Sequence, residues 1–500
     1  MKTGSVPPQY DLQHLKFFTA KEADIVSRFF AELKESVKLS KKDRNALVQD
    51  FEDALLYYIS IGVPVKEGLS RLDIANLGNF YLHPPQLWFA LDDGAKIYPL
   101  VMGHGYMAIF RLSVYLKKKV VPEILQMALN FTIKRFPSFG TTIKKGFFWH
   151  YLDATKRRYT IEPETGIPCK PLKVSRSSSQ SFRVLYYGNR ISVEYFHIIT
   201  DGTGGMVFLK TLTAEYLRLL GVMFLPGDGV LAVNSPATLR ETANELARRG
   251  EIKSASAFVE KPALQFSGKL TDQRPCSIIH FKMDAVKLKE AARNKNATVT
   301  AYLLSLMFAA GKQTTDEYNG DFNIQVPVNM RKYYPSDTVR NFFMYCGIRI
   351  PISEIGDIDS MLPEINKQLR EKSSKDAMSQ MMNSTRHLVK RVRHVPLFLK
   401  EPAAKLIYGL LGDKVFSSVL SNLGVVTMPS ELAEHIEGMD FVLGTALTNR
   451  ASCSMVTFGN TATLSIAKST ADPSFENSIY DLLKADGILP IIEGSEGREY

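Results

Sequence analysis

Residues 195–205 read Tyr-Phe-His-Ile-Ile-Thr-Asp-Gly-Thr-Gly-Gly. The apolar run that enters this stretch follows the turn pair Gly188-Asn189 and predicts the second strand of a hairpin. That run ends at His197, and three glycines follow before a series of apolar residues at helical spacing that Gly221 closes. The pattern predicts that a strand presents an imidazole at a corner, where the glycines turn the chain into a helix.

His197 is the residue of this corner that suits acid–base chemistry. An imidazole has an unperturbed pKa near 6.5, so it can take up a proton near neutral pH, and we predict that His197 is a general base. Asp201 is expected to anchor the corner through a buried ion pair, with a hydrogen bond to His197 as the alternative. Gly202 is expected to adopt a backbone conformation that other residues resist. A core histidine beside a helix-capping aspartate would carry the same pattern without a function.

The rest of the chain divides into three parts. Residues 1–90 predict a helical appendage, because Thr19 with Glu22 and Ser40 with Asp43 have the spacing of helix caps ahead of amphipathic runs. Residues 91–250 and 251–500 each alternate strand and helix patterns and predict two α/β halves. Further strands are predicted at 107–116, 182–187, 276–283, 322–328, 342–350, 454–458 and 463–467, and helices at 121–136, from 298 onwards and at 473–483.

Composition fits a globular enzyme, with 45% hydrophobic and 23% charged residues. The longest apolar runs are about half as long as a bilayer crossing needs, and Met1–Leu15 lacks the apolar stretch of a signal peptide, so we expect a cytoplasmic protein. Nine histidines show no metal-ligand spacing, and no metal is expected. Four cysteines lie far apart and are expected to be reduced thiols, at Cys169, Cys276, Cys346 and Cys453.

The formal charge of +11 favours an anionic partner such as a CoA phosphate, a phosphopantetheine arm or a lipid surface, although a solubilising surplus is the alternative. No nucleic-acid module is recognisable, so no nucleic acid is expected. The basic run 386–394 leads into the apolar runs 395–399 and 406–411. This order suits a peripheral membrane contact, an acyl-chain contact or a helix with one solvated face.

The motif His197-x-x-x-Asp201-Gly202 resembles the signature of the chloramphenicol-acetyltransferase-like superfamily, which includes peptide-synthetase condensation domains and alcohol acetyltransferases. Phe196 stands where condensation domains usually have a second histidine, so the alcohol-acetyltransferase branch fits best. Further segments are similar to that superfamily in the same order along the chain, namely 91–99, 110–114, 134–137, 147–149, 326–331, 340–342 and 421–424.

The resemblance implies two similar mixed-sheet α/β halves that form a V-shaped pseudo-dimer, with a tunnel between them and His197 at its midpoint. An acyl group would pass from acyl-CoA, or from the phosphopantetheine of an acyl carrier protein, to an alcohol or amine. No acyl-enzyme and no permanently bound cofactor would be needed. Arg331 of the second half would pair with Asp201.

The resemblance also implies residues that shape the tunnel. These are Asn341 and the loop residues Ser421, Asn422 and Gly424, the loop being the one that crosses between the halves. Ser421 would stabilise an oxyanion or would only form a turn.

Two other functions stay open at this point. One is a condensation or polyketide- or lipid-associated acyltransferase that depends on a carrier protein. The other is a catalytically silent module that binds carriers. A monomer is expected in each case.

Overall fold

The computed structural model describes residues 18–82, 87–102, 107–154, 157–172, 180–249, 261–411, 413–446 and 448–494. The N-terminal stretch for which no signal peptide is predicted lies outside these ranges. Residues 250–260, which contain the predicted boundary between the two halves, also lie outside them.

The helices and strands follow in chain order. The helices are α1 Ala20–Ser36, α2 Lys41–Ser60, α3 Val65–Arg71, α4 Gly78–Leu82, α5 Ile97–Val101, α6 Pro122–Thr132, α7 Gly202–Leu219, α8 Glu245–Arg249, α9 Ala285–Asn294, α10 Val299–Gln313, α11 Ile358–Lys372, α12 Lys375–Arg391, α13 Leu397–Leu411, α14 Ser430–Ala433 and α15 Ser474–Ala485. The strands are β1 Trp88–Ala90, β2 Ile109–Leu116, β3 Thr141–Lys145, β4 His150–Ala154, β5 Ile161–Pro163, β6 Phe182–Tyr187, β7 Arg190–Phe196, β8 Ser277–Asp284, β9 Asp321–Asn329, β10 Phe343–Pro351, β11 Ser418–Val426, β12 Ile436–Leu443, β13 Ala451–Phe458, β14 Thr461–Lys468 and β15 Ile491–Gly494.

The first half is built on a five-stranded sheet of order β12-β2-β7-β6-β5, antiparallel except for the β5–β6 pair. The predicted hairpin is β6–β7. Helix α7 packs on β2, β7 and α6, so its apolar residues enter one core with the sheet. A separate three-stranded sheet has the order β1-β4-β3.

The second half is built on a seven-stranded sheet of order β10-β9-β11-β13-β14-β8-β15. Strand β11 runs parallel to both of its neighbours and the remaining pairs are antiparallel. Helix α10, capped by Thr298, fills the core of this half together with residues of α9, α11 and α15. The prediction of two mixed-sheet α/β halves is therefore confirmed.

The second half supplies one strand to the sheet of the first half. Residues after β11 leave the second sheet, form α14 and supply β12, which pairs with β2 at the edge of the first sheet and also packs on β13 and β14. The prediction that Ser421–Gly424 is the crossing loop is wrong, because these residues lie inside β11 and the crossing follows that strand. Ladder hydrogen bonds to β13, interrupted by a bulge between Asn422 and Val425, hold them in the sheet.

The N-terminal helices complete the first core. Thr19 and Glu22 form the predicted reciprocal cap, and Ser40 caps α2. Phe51 of α2 packs edge-on against Phe131 of α6, with ring centroids 6.0 Å apart. Because these helices bury their apolar faces in the core of the first half, we propose that residues 18–82 extend that half, while the domain boundaries at 90 and 250 stay predictions. No described helix has the length and apolar character that spanning a bilayer requires.

Candidate active site

The histidine corner is built by backbone hydrogen bonds at the end of β7. The His197 amide donates to the carbonyl of Ala108 at 2.8 Å, which extends the β2–β7 pairing by one residue. Residues 197–199 then form a turn, and α7 begins at Gly202. The turn therefore precedes the glycines, which lie in the first turn of the helix.

The glycines serve close packing rather than a special backbone conformation. The prediction that Gly202 adopts an unusual backbone conformation is wrong, because Gly202 is the first residue of the helix. A Cβ at this position would lie 2.7 Å from the end of the Leu423 side chain. Gly204 is under a stronger constraint, because a Cβ would lie 2.0 Å from the carbonyl oxygen of Val339. That carbonyl accepts a hydrogen bond from the Thr200 hydroxyl at 2.6 Å. Backbone of the second half thus rests directly against the start of α7.

Asp201 has a separate task for each carboxylate oxygen. Its Oδ1 accepts the amide of Gly204 at 2.9 Å and so caps α7. Its Oδ2 accepts Nη1 of Arg331 at 2.8 Å and the amide of Phe342 at 2.7 Å. The predicted ion pair between Asp201 and Arg331 is present, and both side chains are largely buried. The alternative of a hydrogen bond to His197 is wrong for the Nδ1 atom of the ring, whose partner is Asn341.

The residues from Thr338 to Phe342 are held in place by charges on both sides. Arg331 donates to the carbonyl oxygens of Thr338 and Arg340, at 2.7 and 2.8 Å. On the other side, fully buried Asp92 pairs with Arg340 at 3.1 Å and accepts the amide of Asn341 at 3.3 Å. Burial raises the pKa of Asp92 to about 6, and the Arg340 charge opposes this rise. Asp92 was not singled out from the sequence, although it lies in the segment 91–99 that resembles the acyltransferases.

Asn341 fixes the tautomer of the imidazole. Its Nδ2 donates to the carbonyl oxygen of His197 at 2.9 Å, and its Oδ1 lies 3.0 Å from Nδ1 of the ring. A flipped amide would set oxygen against oxygen, so the backbone carbonyl determines which amide atom faces the ring. Because Oδ1 only accepts, the proton of the neutral ring lies on Nδ1 and the lone pair lies on Nε2.

Three aromatic rings surround the imidazole, and they come from both halves. Tyr98 stacks on it, Phe110 of β2 meets it edge-on, and Phe343 of β10 packs at a tilt, with centroid distances of 5.2, 5.1 and 5.0 Å. The residue as a whole keeps partial exposure to solvent. Burial lowers the pKa of His197 from its ordinary value near 6.5, while the charge of Asp201, backbone hydrogen bonding at His197 and Thr200, and the bond to Asn341 oppose this shift. The ring is therefore neutral at physiological pH.

The other predicted site residues lie on β11. Asn422 donates to the hydroxyl of Thr300 at 3.1 Å and accepts the amide of Gly424 at 2.8 Å. Gly424 has φ +73°, a conformation that favours glycine, at the bulge of the strand. Ser421 pairs with Ser454 in the sheet. Between Asn422 and Gly424, Leu423 reaches Gly202, so this strand does adjoin the histidine corner.

No family model and no curated protein matches this chain in sequence. Solved structures do match it in fold. The trichothecene 15-O-acetyltransferase of Fusarium sporotrichioides aligns at 11% identity with TM-score 0.54, over 80% of this chain and 95% of its own. TRI101 of F. sporotrichioides, complexed with coenzyme A and T-2, aligns at 10% identity with TM-score 0.53, over 81% and 99%. The first condensation domain of the CDA synthetase aligns at 12% identity with TM-score 0.51, over 81% and 99%.

These alignments cover nearly the whole of each solved chain, so both halves are matched and not a single sheet. The neighbours also include the two kinds of protein to which the histidine motif was compared. The chain therefore shares the two-half α/β fold of these acetyltransferase and condensation-domain structures.

Proposed function

We propose that this protein is an acyltransferase that moves an acyl group from a CoA thioester to an alcohol or amine, with His197 as the general base. The observation that carries the proposal is the state of the imidazole. The ring lies where the halves meet, between Phe110 and Phe343, its Nδ1 is engaged by Asn341, and its Nε2 has a lone pair to accept a proton. The fold shared with an acetyltransferase and with a CoA complex supports the choice of a thioester donor.

The proposed reaction has one covalent exchange. Nε2 of His197 takes the proton of the acceptor hydroxyl while the acceptor oxygen attacks the thioester carbonyl carbon. The carbon–sulfur bond breaks as the carbonyl re-forms, and the imidazolium returns the proton to the thiolate. Base catalysis of this kind contributes about 100- to 10,000-fold, and alignment of the two substrates contributes further. No acyl-enzyme forms, so the scheme requires no nucleophilic serine or cysteine.

In this scheme Asn341 is a positioning residue. The imidazolium that forms during attack needs an acceptor for its Nδ1 proton, and Oδ1 of Asn341 provides one without moving. Asp201, Arg331 and Asp92 act one step further away, since they hold the backbone on either side of Asn341. Ser421 as an oxyanion donor, the tunnel, a cytoplasmic location and a monomeric state remain predictions.

The test is thiol release by the purified protein. With acetyl-CoA or a longer acyl-CoA and a panel of alcohols and amines, we expect free CoA to appear in proportion to acylated acceptor. We expect no burst of free CoA in the absence of an acceptor, because no acyl-enzyme forms. Turnover only with acyl groups on a carrier protein would favour the condensation-type alternative. Carrier binding without turnover of any donor would contradict an enzymatic function.

The pH dependence of the rate tests whether Asn341 positions the imidazole, because loss of a residue that only supports the fold would not move the acid limb. The acid limb of the wild-type rate is expected below pH 6.5, because burial lowers the pKa of His197. N341L keeps the branched shape and the number of side-chain heavy atoms but removes an interaction that raises this pKa, so the limb should move to still lower pH. The maximal rate should fall by roughly tenfold to 100-fold, since the ring loses its fixed tautomer.

N422L is the matched control for N341L. Asn422 is also an asparagine of the second half, but its partners are Thr300 and Gly424. We expect its pH profile of kcat/KM to keep the wild-type acid limb. An unshifted limb in N341L, or the same shift in both variants, would contradict the role given to Asn341.

A further inference from the structure

We propose that this protein docks on anionic membrane surfaces through a patch formed by the tip of the β3–β4 hairpin and the start of α13, which we name the hairpin–α13 patch. The patch carries large apolar side chains in solvent, and a basic segment borders it. It lies beside the aromatic residue that stacks on His197. Membrane binding does not depend on the proposed function, so the two can fail separately.

The first observation is that the patch exposes several large apolar side chains close together, which is uncommon on the surface of a soluble protein. Phe147 at the hairpin tip is 68% exposed, and Phe398 on α13 is 66% exposed. Their neighbours in the patch are also exposed. These are Phe148 and Leu399, with Val395 just before α13; Leu388 of α12 and Leu406 further along α13 are exposed as well.

The second observation is that the hairpin tip and α13 form one surface. The Leu397 amide donates to the carbonyl of Phe147 at 2.8 Å, and Nζ of Lys400 donates to the carbonyl of Phe148 at 2.8 Å. The same ammonium lies 3.5 Å from the ring centre of Trp149, a cation–π contact. Phe147 and Phe398 are therefore held on one rigid edge.

The third observation is charge. From residue 386 to residue 405 the sequence contains six lysines and arginines and one acidic residue, Glu401. Glu401 is already paired with Lys145 at 2.8 Å. Lys390, Arg391 and Arg393 are exposed next to the apolar side chains. A surface with aromatic and aliphatic side chains at its centre and exposed cations at its border matches the interface of an anionic bilayer.

The hairpin–α13 patch lies close to the proposed active site. Helix α13 packs on α5, whose Tyr98 stacks on the imidazole of His197. Ile97, the residue before Tyr98, is itself 44% exposed. A substrate with a long alkyl chain could thus pass from the bilayer toward His197 with little contact with water, a consequence that rests on the proposed function.

A bilayer fits this surface better than an acidic carrier protein does. A carrier would satisfy the cations, but protein interfaces cover their apolar centre within a complementary surface and surround it with polar groups. Here the apolar side chains stand at a hairpin tip and on a helix, where they can enter a lipid headgroup layer.

Vesicle flotation of the full chain tests the proposal. We expect binding to phosphatidylcholine vesicles that contain phosphatidylserine, weaker binding to pure phosphatidylcholine, and weakening by salt. The triple variant K390E/R391E/R393E should lose at least about 100-fold in partition, as each basic residue contributes about fivefold. F147S and F398S should each lose on the order of tenfold through the lost apolar contact.

The control is K287E/K289E/R293E on α9, which makes the same change of net charge at exposed positions on a different helix. It should bind vesicles like the wild type, and urea unfolding should show that all variants are folded. Absence of vesicle binding would overturn the proposal. An equal loss of vesicle binding in the α9 control would also overturn it. The same holds if the wild type binds no vesicles but binds a holo-acyl carrier protein, and the patch variants lose that binding.

Discussion

Replacement of His197 by alanine is expected to lower the rate of acyl transfer by about 100- to 10,000-fold while leaving the fold intact. The imidazole is the proposed proton acceptor, and its Nδ1 is already committed to Asn341, so no other atom of the residue can substitute for Nε2. The side chain is partly exposed and packs between rings, so truncation leaves a small space rather than an unpaired charge. The measurement is kcat/KM from thiol release, with circular dichroism and urea unfolding as checks on folding.

His280 provides the matched control for H197A. It is also a partly buried histidine with a lowered pKa, and its Nδ1 lies 2.9 Å from the hydroxyl of Ser465 in the second sheet. H280A is expected to retain the rate within a few-fold, because it has no part in the proposed proton transfer. A wild-type rate in H197A, or an equal loss in H280A, would contradict the assignment of the base.

Replacement of Asp201 by alanine is expected to lower the free energy of unfolding by about 3–5 kcal/mol. The loss arises because Arg331 would keep a largely buried guanidinium without its carboxylate, and because α7 would lose its cap. The rate should fall as well, since the amide of Phe342 and the segment that presents Asn341 lose their anchor. Urea titration followed by circular dichroism measures the first effect, and thiol release measures the second.

Two comparisons separate the ion pair from the cap. Asp284 caps α9 in the same manner, but it is exposed; D284A should therefore cost about 0.5–2 kcal/mol and leave the rate unchanged. D201A/R331M should recover part of the stability lost in D201A, because the unpaired charge is gone. If D201A lowers the free energy of unfolding no more than D284A does, the buried ion pair does not contribute the stability proposed for it.

Much of the site follows from local sequence. The hairpin turn at Gly188-Asn189, the apolar alternation of β7 and the apolar stripe of α7 each depend on residues close together in the chain. They suffice to predict a strand that ends in a histidine and a helix that starts soon after. The Asp201–Arg331 pair was predictable only because the motifs that contain these two residues resemble those of the acyltransferase superfamily.

Other features depend on residues that are distant in sequence, and no local pattern marks them. Strand β12 is a short stretch in which apolar residues predominate, but nothing in it indicates that it joins the sheet of the other half. The clash that Gly204 avoids involves the carbonyl of Val339, and Asp92 matters because Arg340 lies against it. Each of these relations arises only when the halves pack.

The sequence by itself determined that an imidazole stands at the end of a strand, with a carboxylate at the start of the next helix. Only the tertiary structure decided which nitrogen of that imidazole is free. An isolated histidine exchanges its two neutral tautomers, and here the Asn341 amide, 144 residues away in the chain, provides the side-chain acceptor for Nδ1. The amide is itself oriented by the backbone carbonyl of His197. A hydrogen bond of this kind requires two surfaces to meet within about 3 Å, and that depends on how the halves pack rather than on the local sequence of either.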